Sequence, residues 1–369
     1  MFANACFQSD AKRNDPFASF FYRIIILDID YMNLKEKKYS QYALVQEMMD
    51  TVETVKKFDP ACTKEIAAKV AKAGKAYFTG EGSSRIFPAK NALRKTKRWG
   101  LDLNAQTDGS WQSREYDLSK FAVFLASNSG RTKEVTLLAK KLMEEGNPLR
   151  FGLTANQDTI LSTFCADTHV LNCGWEQAVA ATKSVVEQAL YYESVLWNIA
   201  GKDVKAGLAA LPAQIEKALT LQVPAEIVEW VKKAETIYFA GYNDGVAEEL
   251  TLKTNEITRR KSDFLEGTYA LHGIEEVMKE GDIIFWVDPI ADEYEKIQEC
   301  LIKGAGVKVV AIADHDTPFP TIKTPAAGDF NPYVYLCAGW NVLVEIGIAT
   351  GMDLDHPKRA RKVGNEIKI

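Results

Sequence analysis

Two apolar runs of the same type, each ended by a glycine, constrain the fold of this chain more than any other feature. They read "KAYFTG" at 75–80 and "TIYFAG" at 236–241. Further short apolar runs follow each of them and alternate with amphipathic stretches, which is typical of a parallel sheet covered by helices on both faces. Because the pattern restarts in the second half, we predict an α/β protein with two similar domains in tandem.

The same patterns predict individual elements and domain limits. Strands are expected at 75–80, 121–126, 150–154, 168–171, 236–241, 282–287 and 307–313, and helices at 133–145, 175–201, 244–260 and 341–351. A linker is expected near 201–214. The predicted domains are an N-terminal extension with a lead-in helix (1–45), a first domain (46–205), a second domain (206–351) and a C-terminal tail (352–369).

Charge and composition exclude several kinds of partner. The chain has 45 basic and 50 acidic residues, a net charge of −5, so no global attraction to nucleic acid or anionic membranes is expected. Six cysteines without a CxxC pair favour reduced thiols and a cytoplasmic location, and four histidines argue against a histidine-rich metal site. The apolar run at 20–32 is too short to span a membrane and lacks a signal-peptide cleavage site, and Met32 is an alternative start.

The segment "SNSGRT" at 127–132 joins a predicted strand to a predicted helix. The first N–H groups of a helix lack intrahelical partners and attract anions. Ser127, Ser129 and Thr132 add hydroxyl donors, and Gly130 lets the backbone approach a ligand closely. A helix cap would need only one such hydroxyl. The three hydroxyls therefore favour a phosphate-binding loop.

A second loop, "GEGSSR" at 80–85, also follows a predicted strand. Arg85 stands at the third glycine position of a dinucleotide fingerprint, and no GK[ST] loop is present, so neither a dinucleotide nor a nucleoside triphosphate is indicated. We predict that Ser83 and Ser84 donate to the same small anion. Arg85 is either a partner of a phosphate or carboxylate, or a solvated side chain.

These loops resemble those of the sugar isomerase (SIS) domain family. The segments "LTLKTNEITRRKSDFLEGTYALHG" at 250–273 and "DLDHPKRARKV" at 353–363 are similar to the second SIS domain and the C-terminal tail of the isomerase part of glucosamine-6-phosphate synthase. The likeness covers about residues 42–369. It implies two tandem SIS domains, each a flavodoxin-like parallel sheet with helices on both faces.

The resemblance also assigns binding residues. Ser84, Ser127, Ser129 and Thr132 match the positions that hold the sugar phosphate. Val179 and Ala181 match a segment that contacts the sugar hydroxyls, although the family pattern has serine where this chain has Ala181.

Four further residues match catalytic positions of the family. Glu256 matches the proton-transferring glutamate, and Lys253 matches another active-site lysine. Lys362 matches the lysine that forms an imine with the open sugar. His272 matches the ring-opening histidine, which the family supplies from a neighbouring subunit, so at least a homodimer is implied.

The residues themselves support these roles but leave plainer alternatives open. Lys253 lies three residues before Glu256, where its ammonium keeps the carboxylate ionised; the alternative is a surface salt bridge. Lys362 belongs either to a mobile basic tail or to a tail that folds over the substrate and supplies an amine. His272, next to the loop glycine Gly273, can shuttle the ring-oxygen proton, but isolated histidines are otherwise structural or solvated.

The resemblance therefore implies an enzyme that acts on a hexose 6-phosphate derivative without a metal or organic cofactor. The synthase has a glutaminase domain with an N-terminal cysteine, whereas this chain has Phe2 and Ala3 and few residues before Lys75, so glutamine hydrolysis is not expected. An aldose–ketose isomerase, an amino-sugar phosphate deaminase and a deglycase of fructosyl-amino acid phosphates all remain open. A non-catalytic phosphosugar-binding regulator is the alternative from another class.

Overall fold

The computed structural model of the chain describes residues 31–367. In this range the chain forms two five-stranded parallel sheets. The first consists of β1 (Lys75–Gly80), β2 (Asn104–Gly109), β3 (Ala122–Ala126), β4 (Arg150–Thr154) and β5 (Asp167–Val170), in the order β2-β1-β3-β4-β5. The second consists of β6 (Thr236–Gly241), β7 (Lys261–Glu266), β8 (Ile283–Val287), β9 (Lys308–Ala313) and β10 (Thr321–Lys323), in the order β10-β9-β8-β6-β7.

Both sheets have the flavodoxin-like strand order, so the predicted fold of two tandem α/β domains is confirmed. Each sheet lies inside one of the two predicted domains, whose limits stay a prediction. The predicted extension lies outside the described residues up to Asp30.

The helices complete the two layers around each sheet. They are α1 (Lys37–Ser40), α2 (Ala43–Lys56), α3 (Lys64–Ala73), α4 (Ile86–Arg98), α5 (Lys133–Glu144), α6 (Ile160–Phe164), α7 (Lys183–Ala200), α8 (Lys205–Leu219), α9 (Ala225–Lys233), α10 (Val246–Lys253), α11 (Tyr294–Ile297) and α12 (Asn331–Ala349). Two of them continue as π-helices, α10 through Thr254–Thr258 and α11 through Gln298–Ala305.

Alternate residues of the central strands pack into different apolar clusters, so helices cover both faces of the sheet. Val123 of β3 packs with Leu138 of α5, whereas Phe124 packs against Tyr192 of α7, with ring centroids 5.6 Å apart. The cluster around Phe124 also includes Phe239 of the second sheet. A continuous apolar core therefore joins the two sheets.

Several predicted elements differ from the structure. The helix expected at 175–201 begins only at Lys183, because Glu176 accepts hydrogen bonds from the amides of Thr182 (2.7 Å) and Ser184 (3.3 Å) and holds the preceding residues as a loop. The helix expected at 341–351 begins at Asn331, and the expected linker at 201–214 is mostly α8. The strands that were not predicted, β2, β7 and β10, lie at sheet edges, where a polar sequence such as "NAQTDG" is tolerated.

One helix among the described residues, α12 with its preceding turn (Gly328–Ala349), is long and apolar enough to cross a membrane, but most of it is buried in the protein interior. Its apolar residues contribute to the core shared by the two sheets. The cysteines in residues 31–367 are free.

Candidate active site

The strand order reverses between β1 and β3, where the loops that follow the two strands diverge and leave a crevice. The loop after β1 contains a short 3-10 turn, Gly82–Ser84, and the loop after β3 contains the predicted hydroxyl segment 127–132. Gly80 permits the close approach of these loops, since a Cβ there would lie 2.8 Å from the Ser84 carbonyl oxygen and 2.9 Å from that of Ala126. The two loops line a cavity of about 350 Å³.

The hydroxyls of the β3 loop form a cluster rather than a helix cap. The Ser127 Oγ lies 2.8 Å from the Thr132 Oγ1 and 3.5 Å from the Ser129 Oγ. Thr132, the N-cap residue of α5, makes no side-chain cap hydrogen bond. Gly130 has a φ of +62°, which turns the loop back on itself. Ser129 and Thr132 line the cavity, and the buried Ser127 supports them from behind.

The second domain contributes Glu256 from the π-helical turn that follows α10. The Glu256 side chain is 25% exposed and lines the cavity. The Nζ of Lys253, one turn earlier, lies 2.7 Å from the Glu256 Oε2, 3.3 Å from the Glu249 Oε1 and 2.7 Å from the Ser83 Oγ. Lys253 is fully buried and does not line the cavity. Because Lys253 is buried, the pair is not a surface salt bridge. Through Ser83 it connects the second domain to the β1 loop of the first.

The charge of Lys253 is stabilised despite its burial. Burial alone would lower its pKa, but the carboxylates of Glu256 and Glu249 outweigh that effect and raise it. Glu249 is also fully buried, and burial raises its pKa. A charged Lys253 holds Glu256 in position and donates to Ser83 in the same network.

The loop between β5 and α7 brings Val179 and Ala181 to the cavity. It is organised by the buried Glu176, which accepts hydrogen bonds from the Ser184 hydroxyl (2.6 Å) and from the Asn128 side-chain amide (3.0 Å). Burial raises the pKa of Glu176, but the charge of Lys362 and these hydrogen bonds outweigh it, so the pKa is lowered overall. Glu176 is therefore an ionised support for the loop.

The C-terminal tail is folded against the rest of the chain as far as Ile367. The Asp355 carboxylate accepts hydrogen bonds from the amides of Ala43 and Leu44, both at 2.8 Å, and so caps α2. Further along, the amide of Ile367 donates to the Arg131 carbonyl at 3.1 Å. The residues between these two attachments reach the cavity, whose lining includes Lys362 and Val363.

Lys362 lies on the wall of the cavity, and its side chain is only 17% exposed. Its Nζ donates to the Ala178 carbonyl oxygen at 2.6 Å and lies 3.6 Å from the Glu176 Oε2. Burial lowers its pKa, although Glu176 and Glu47 act in the opposite direction. A lowered pKa increases the neutral amine fraction, which is the nucleophilic form.

One part of the predicted phosphate cradle differs from expectation. Three amides at the entry to α5 already have acceptors: Lys133 donates to the Asn365 carbonyl of the tail at 3.0 Å, and Arg131 and Thr132 donate to the hydroxyls of Ser129 (3.2 Å) and Ser127 (3.4 Å). With the tail in this position, these three amides are not available to a phosphate.

The structure brings together most of the predicted site residues. Those that line the cavity are Ser83, Ser84, Ser129, Thr132, Val179, Ala181, Glu256 and Lys362. Ser127 and Lys253 contact this group from behind. His272 lies elsewhere, in an exposed turn of the second domain where its Nε2 is 3.4 Å from the Thr268 Oγ1. The described chain therefore contains no cavity-lining histidine at this site.

Sequence reasoning missed several residues of the site. Glu81 and Asn128 line the cavity from the two loops, and Trp175 lines it from the β5–α7 loop. Glu47 of α2 accepts hydrogen bonds from the amides of Gln177 and Ala178, next to the Lys362 contact. The sequence feature that could have indicated these residues is Glu176, an acidic residue within a mostly apolar segment.

Comparison with known proteins shows which solved structures share this architecture. No protein-family model matches the chain, and no curated protein sequence matches it. Among solved structures, a phosphosugar isomerase described as putative, from Silicibacter pomeroyi, superposes with a TM-score of 0.72 and 19% identity, over 85% of this chain and 100% of the other.

Two further structures resemble the chain at similar levels. The C-terminal domain of glucosamine-fructose-6-phosphate aminotransferase from Francisella tularensis has a TM-score of 0.72 and 17% identity, covering 87% of this chain and 100% of its own. Glucosamine-6-phosphate deaminase from Thermotoga maritima has a TM-score of 0.65 and 19% identity, covering 87% and 99%. The fold of two tandem α/β domains expected from the sequence is thus shared with these three solved structures.

Proposed function

We propose that this protein binds a hexose 6-phosphate, or an amino derivative of one, and transfers a proton between C1 and C2 of the sugar. The observation that carries the proposal is the meeting of three distant segments at one cavity: the hydroxyl loop with Ser129 and Thr132, Glu256 of the second domain, and Lys362 of the tail. A phosphate-binding loop, a carboxylate base and an amine are the groups that this chemistry needs.

Phosphate binding is assigned to the hydroxyls of the two loops. Ser84, Ser129 and Thr132 face the cavity, and each hydroxyl can rotate to donate a hydrogen bond to a phosphate oxygen. Displacement of Asn365 from the Lys133 amide would add a backbone donor at the start of α5. Substrate binding is therefore expected to shift the tail at this point.

Glu256 is the proposed base. Because C1 and C2 are adjacent, one carboxylate can remove a proton from either carbon and return it to the other through an enediol or enolamine. Lys253 keeps Glu256 oriented and supplies positive charge near the oxygen on which negative charge develops. The neutral amine of Lys362 can attack the open-chain C2 carbonyl and form an imine with loss of water, or it can close the site over the sugar.

His272 is proposed to open the sugar ring from a second copy of the chain. Its turn is exposed, and two large apolar side chains beside it, Tyr269 (50% exposed) and Val277 (63%), support a subunit contact. The proposal therefore includes at least a homodimer. It also includes a cytoplasmic location and a reaction that needs no metal or organic cofactor.

Turnover by the purified chain tests this proposal. Fructose 6-phosphate with and without ammonia, and glucosamine 6-phosphate, are supplied, and products are identified by mass spectrometry. Glu256→Gln should keep phosphosugar binding but lower turnover by about 10²- to 10⁴-fold, the contribution typical of a general base. Glu248→Gln is the matched control, since Glu248 is also on α10, 22% exposed and paired with a lysine, but does not line the cavity.

The phosphate assignment has a separate test. Ser129→Ala combined with Thr132→Ala should weaken binding of fructose 6-phosphate by about tenfold to a hundredfold, the loss of one or two hydrogen bonds to a charged group, and should leave weak binding of free fructose unchanged. Full activity of Glu256→Gln would refute the catalytic assignment. Tight phosphosugar binding by the wild type without any turnover would instead identify a regulator.

A further inference from the structure

A cavity of about 640 Å³ lies between the two domains, and the proposed active site does not use it. We call it the interdomain cavity. The first domain lines it with α4 and the carboxyl end of β2, and the second domain lines it with the residues at the carboxyl ends of β6 and β7. No residue lines both this cavity and the active-site cavity. A ligand of the interdomain cavity would therefore be distinct from the proposed substrate.

Positive charge is concentrated in the lining of the interdomain cavity. Four basic side chains line it, all from α4 and its N-cap residue: Arg85, Lys90, Arg94 and Lys97. Positions 90, 94 and 97 lie on one face of the helix, because residues three and four apart are neighbours there. Only two acidic residues, Asp108 and Glu266, line the same cavity. In a chain whose net charge is −5, this local excess of basic groups favours an anionic ligand.

Two of the four basic groups have no partner in the protein. Lys90 and Arg94 form ion pairs with acidic residues of α10 and of the loop before it. In contrast, the side chains of Arg85 and Lys97 form no hydrogen bond or ion pair with any described residue. Arg85 does not line the active-site cavity, so the phosphate of the proposed substrate does not account for it. Arg85 and Lys97 are therefore available to an anion in the interdomain cavity, where a guanidinium can donate two parallel hydrogen bonds.

A buried hydroxyl without a partner also belongs to the interdomain cavity. Thr107 of β2 lines the cavity, and its Oγ1 is buried without a hydrogen-bond partner among the described residues. Burial of an unpaired polar group costs free energy, so this hydroxyl indicates a partner that binds at this point. Asn243, which follows β6, adds a side-chain amide that can both donate and accept. The lining thus offers uncharged polar groups as well as cations.

We propose that the interdomain cavity is a second binding site, whose ligand is a small phosphate ester that carries hydroxyl groups. Arg85 and Lys97 would hold the phosphate. The ester hydroxyls would bond to the Thr107 Oγ1 and to the carboxylates of Asp108 and Glu266, which accept hydrogen bonds but repel a bare anion. The inference goes beyond the proposed function, since binding here requires no turnover.

Calorimetric titration of the full chain with glycerol 3-phosphate and with inorganic phosphate tests the inference. Glycerol 3-phosphate has the proposed chemistry but is not a hexose. The titration uses Ser129→Ala with Thr132→Ala, in which the phosphate loop of the active site is weakened and the interdomain cavity is unchanged. We expect this variant to bind one equivalent of glycerol 3-phosphate at least fivefold more tightly than inorganic phosphate.

The other outcomes of this titration separate the two sites. Binding of glycerol 3-phosphate by the wild type that disappears in Ser129→Ala with Thr132→Ala would overturn the inference and leave the proposed active site intact. Equal affinity for glycerol 3-phosphate and inorganic phosphate would overturn the assignment to an ester. No binding of either compound to the wild type would overturn the second site altogether.

A substitution confined to the interdomain cavity completes the test. Lys97→Gln with Thr107→Val removes a free cation and the unpaired hydroxyl at little change in shape, so the urea midpoint should stay that of the parent. Added to Ser129→Ala with Thr132→Ala, it should weaken glycerol 3-phosphate binding at least tenfold, the loss of a hydrogen bond to a charged group.

Two controls accompany this substitution. In the chain with an intact hydroxyl loop, Lys97→Gln with Thr107→Val should leave fructose 6-phosphate binding within twofold. Lys72→Gln removes the same charge from an exposed position on α3 and should leave glycerol 3-phosphate binding within twofold. An unchanged affinity for glycerol 3-phosphate in Lys97→Gln with Thr107→Val, or an equal loss in Lys72→Gln, would contradict the assignment.

Discussion

A buried glutamate beside the proposed active site gives the most quantitative prediction. Glu47 of α2 is 5% exposed and accepts hydrogen bonds from the amides of Gln177 and Ala178. Burial raises its pKa to about 7, and the neighbouring Glu176 adds to the rise, although those hydrogen bonds and the charge of Lys362 oppose it. The Glu47 side chain therefore binds a proton more tightly in the folded chain than in the unfolded one.

The direction and size of the effect on stability follow from this difference. The folded pKa of about 7 lies above the ordinary value of 4.5, so the stabilising contribution is fully present below about pH 4.5 and is lost as the pH rises through 7. At 1.36 kcal/mol for each pH unit, the loss is at most about 3 kcal/mol. Because the window from pH 5 to pH 8 begins above 4.5, part of the loss falls outside it, and we expect about 2 kcal/mol within it.

Urea denaturation of the wild type and Glu47→Gln at several pH values measures this contribution. Glutamine has nearly the same shape, keeps an oxygen acceptor for the loop amides and cannot ionise. Relative to the wild type, the variant should gain about 2 kcal/mol in the free energy of unfolding from pH 5 to pH 8. Glu53→Gln, exposed on the same helix, should show no such trend. A constant difference between wild type and Glu47→Gln across this range would refute the reasoning.

Two further substitutions test the packing of the hydroxyl loop and a buried ion pair in the core. Gly130→Ala should lower the free energy of unfolding by about 2–4 kcal/mol and weaken fructose 6-phosphate binding, because the new Cβ would lie 2.3 Å from the Thr159 Cβ. Gly74→Ala is the control, since Gly74 has a similar φ but open space around it. It should lower the free energy of unfolding by only about 1–2 kcal/mol in urea denaturation. Lys95→Met should destabilise the fold by about 3–5 kcal/mol, because it leaves the buried Glu193, now 2.6 Å from the Lys95 Nζ, without its cation. Adding Glu193→Gln to Lys95→Met should restore much of the lost free energy of unfolding in urea denaturation. If it restores none, the loss comes from altered packing and not from the unpaired Glu193 charge.

The central strands could be predicted from the sequence because their signal is local. Runs such as "AVFLA" and "IIFWV" are buried on both faces, so nearly every residue is apolar. The edge strand "NAQTDG" has no such run, and only its pairing with β1 makes it a strand. The loop at 175–182 looked helical because it is rich in apolar residues. Ala178 and Ala180 are buried in the core, whereas Val179 and Ala181 line the cavity, so the burial does not follow one helix face.

The same division applies to the candidate site. By itself, the sequence determined the double α/β architecture and the hydroxyl loop, because burial periodicity and hydroxyls at a strand–helix junction act within a few residues. Only the tertiary structure decided that Glu256, Lys362 and the buried Glu176 meet, since they are far apart in the chain and are joined by packing between the two domains and the tail. A cavity of about 750 Å³ beside Trp175 likewise exists only where the tail crosses the first domain, a contact that no local pattern encodes.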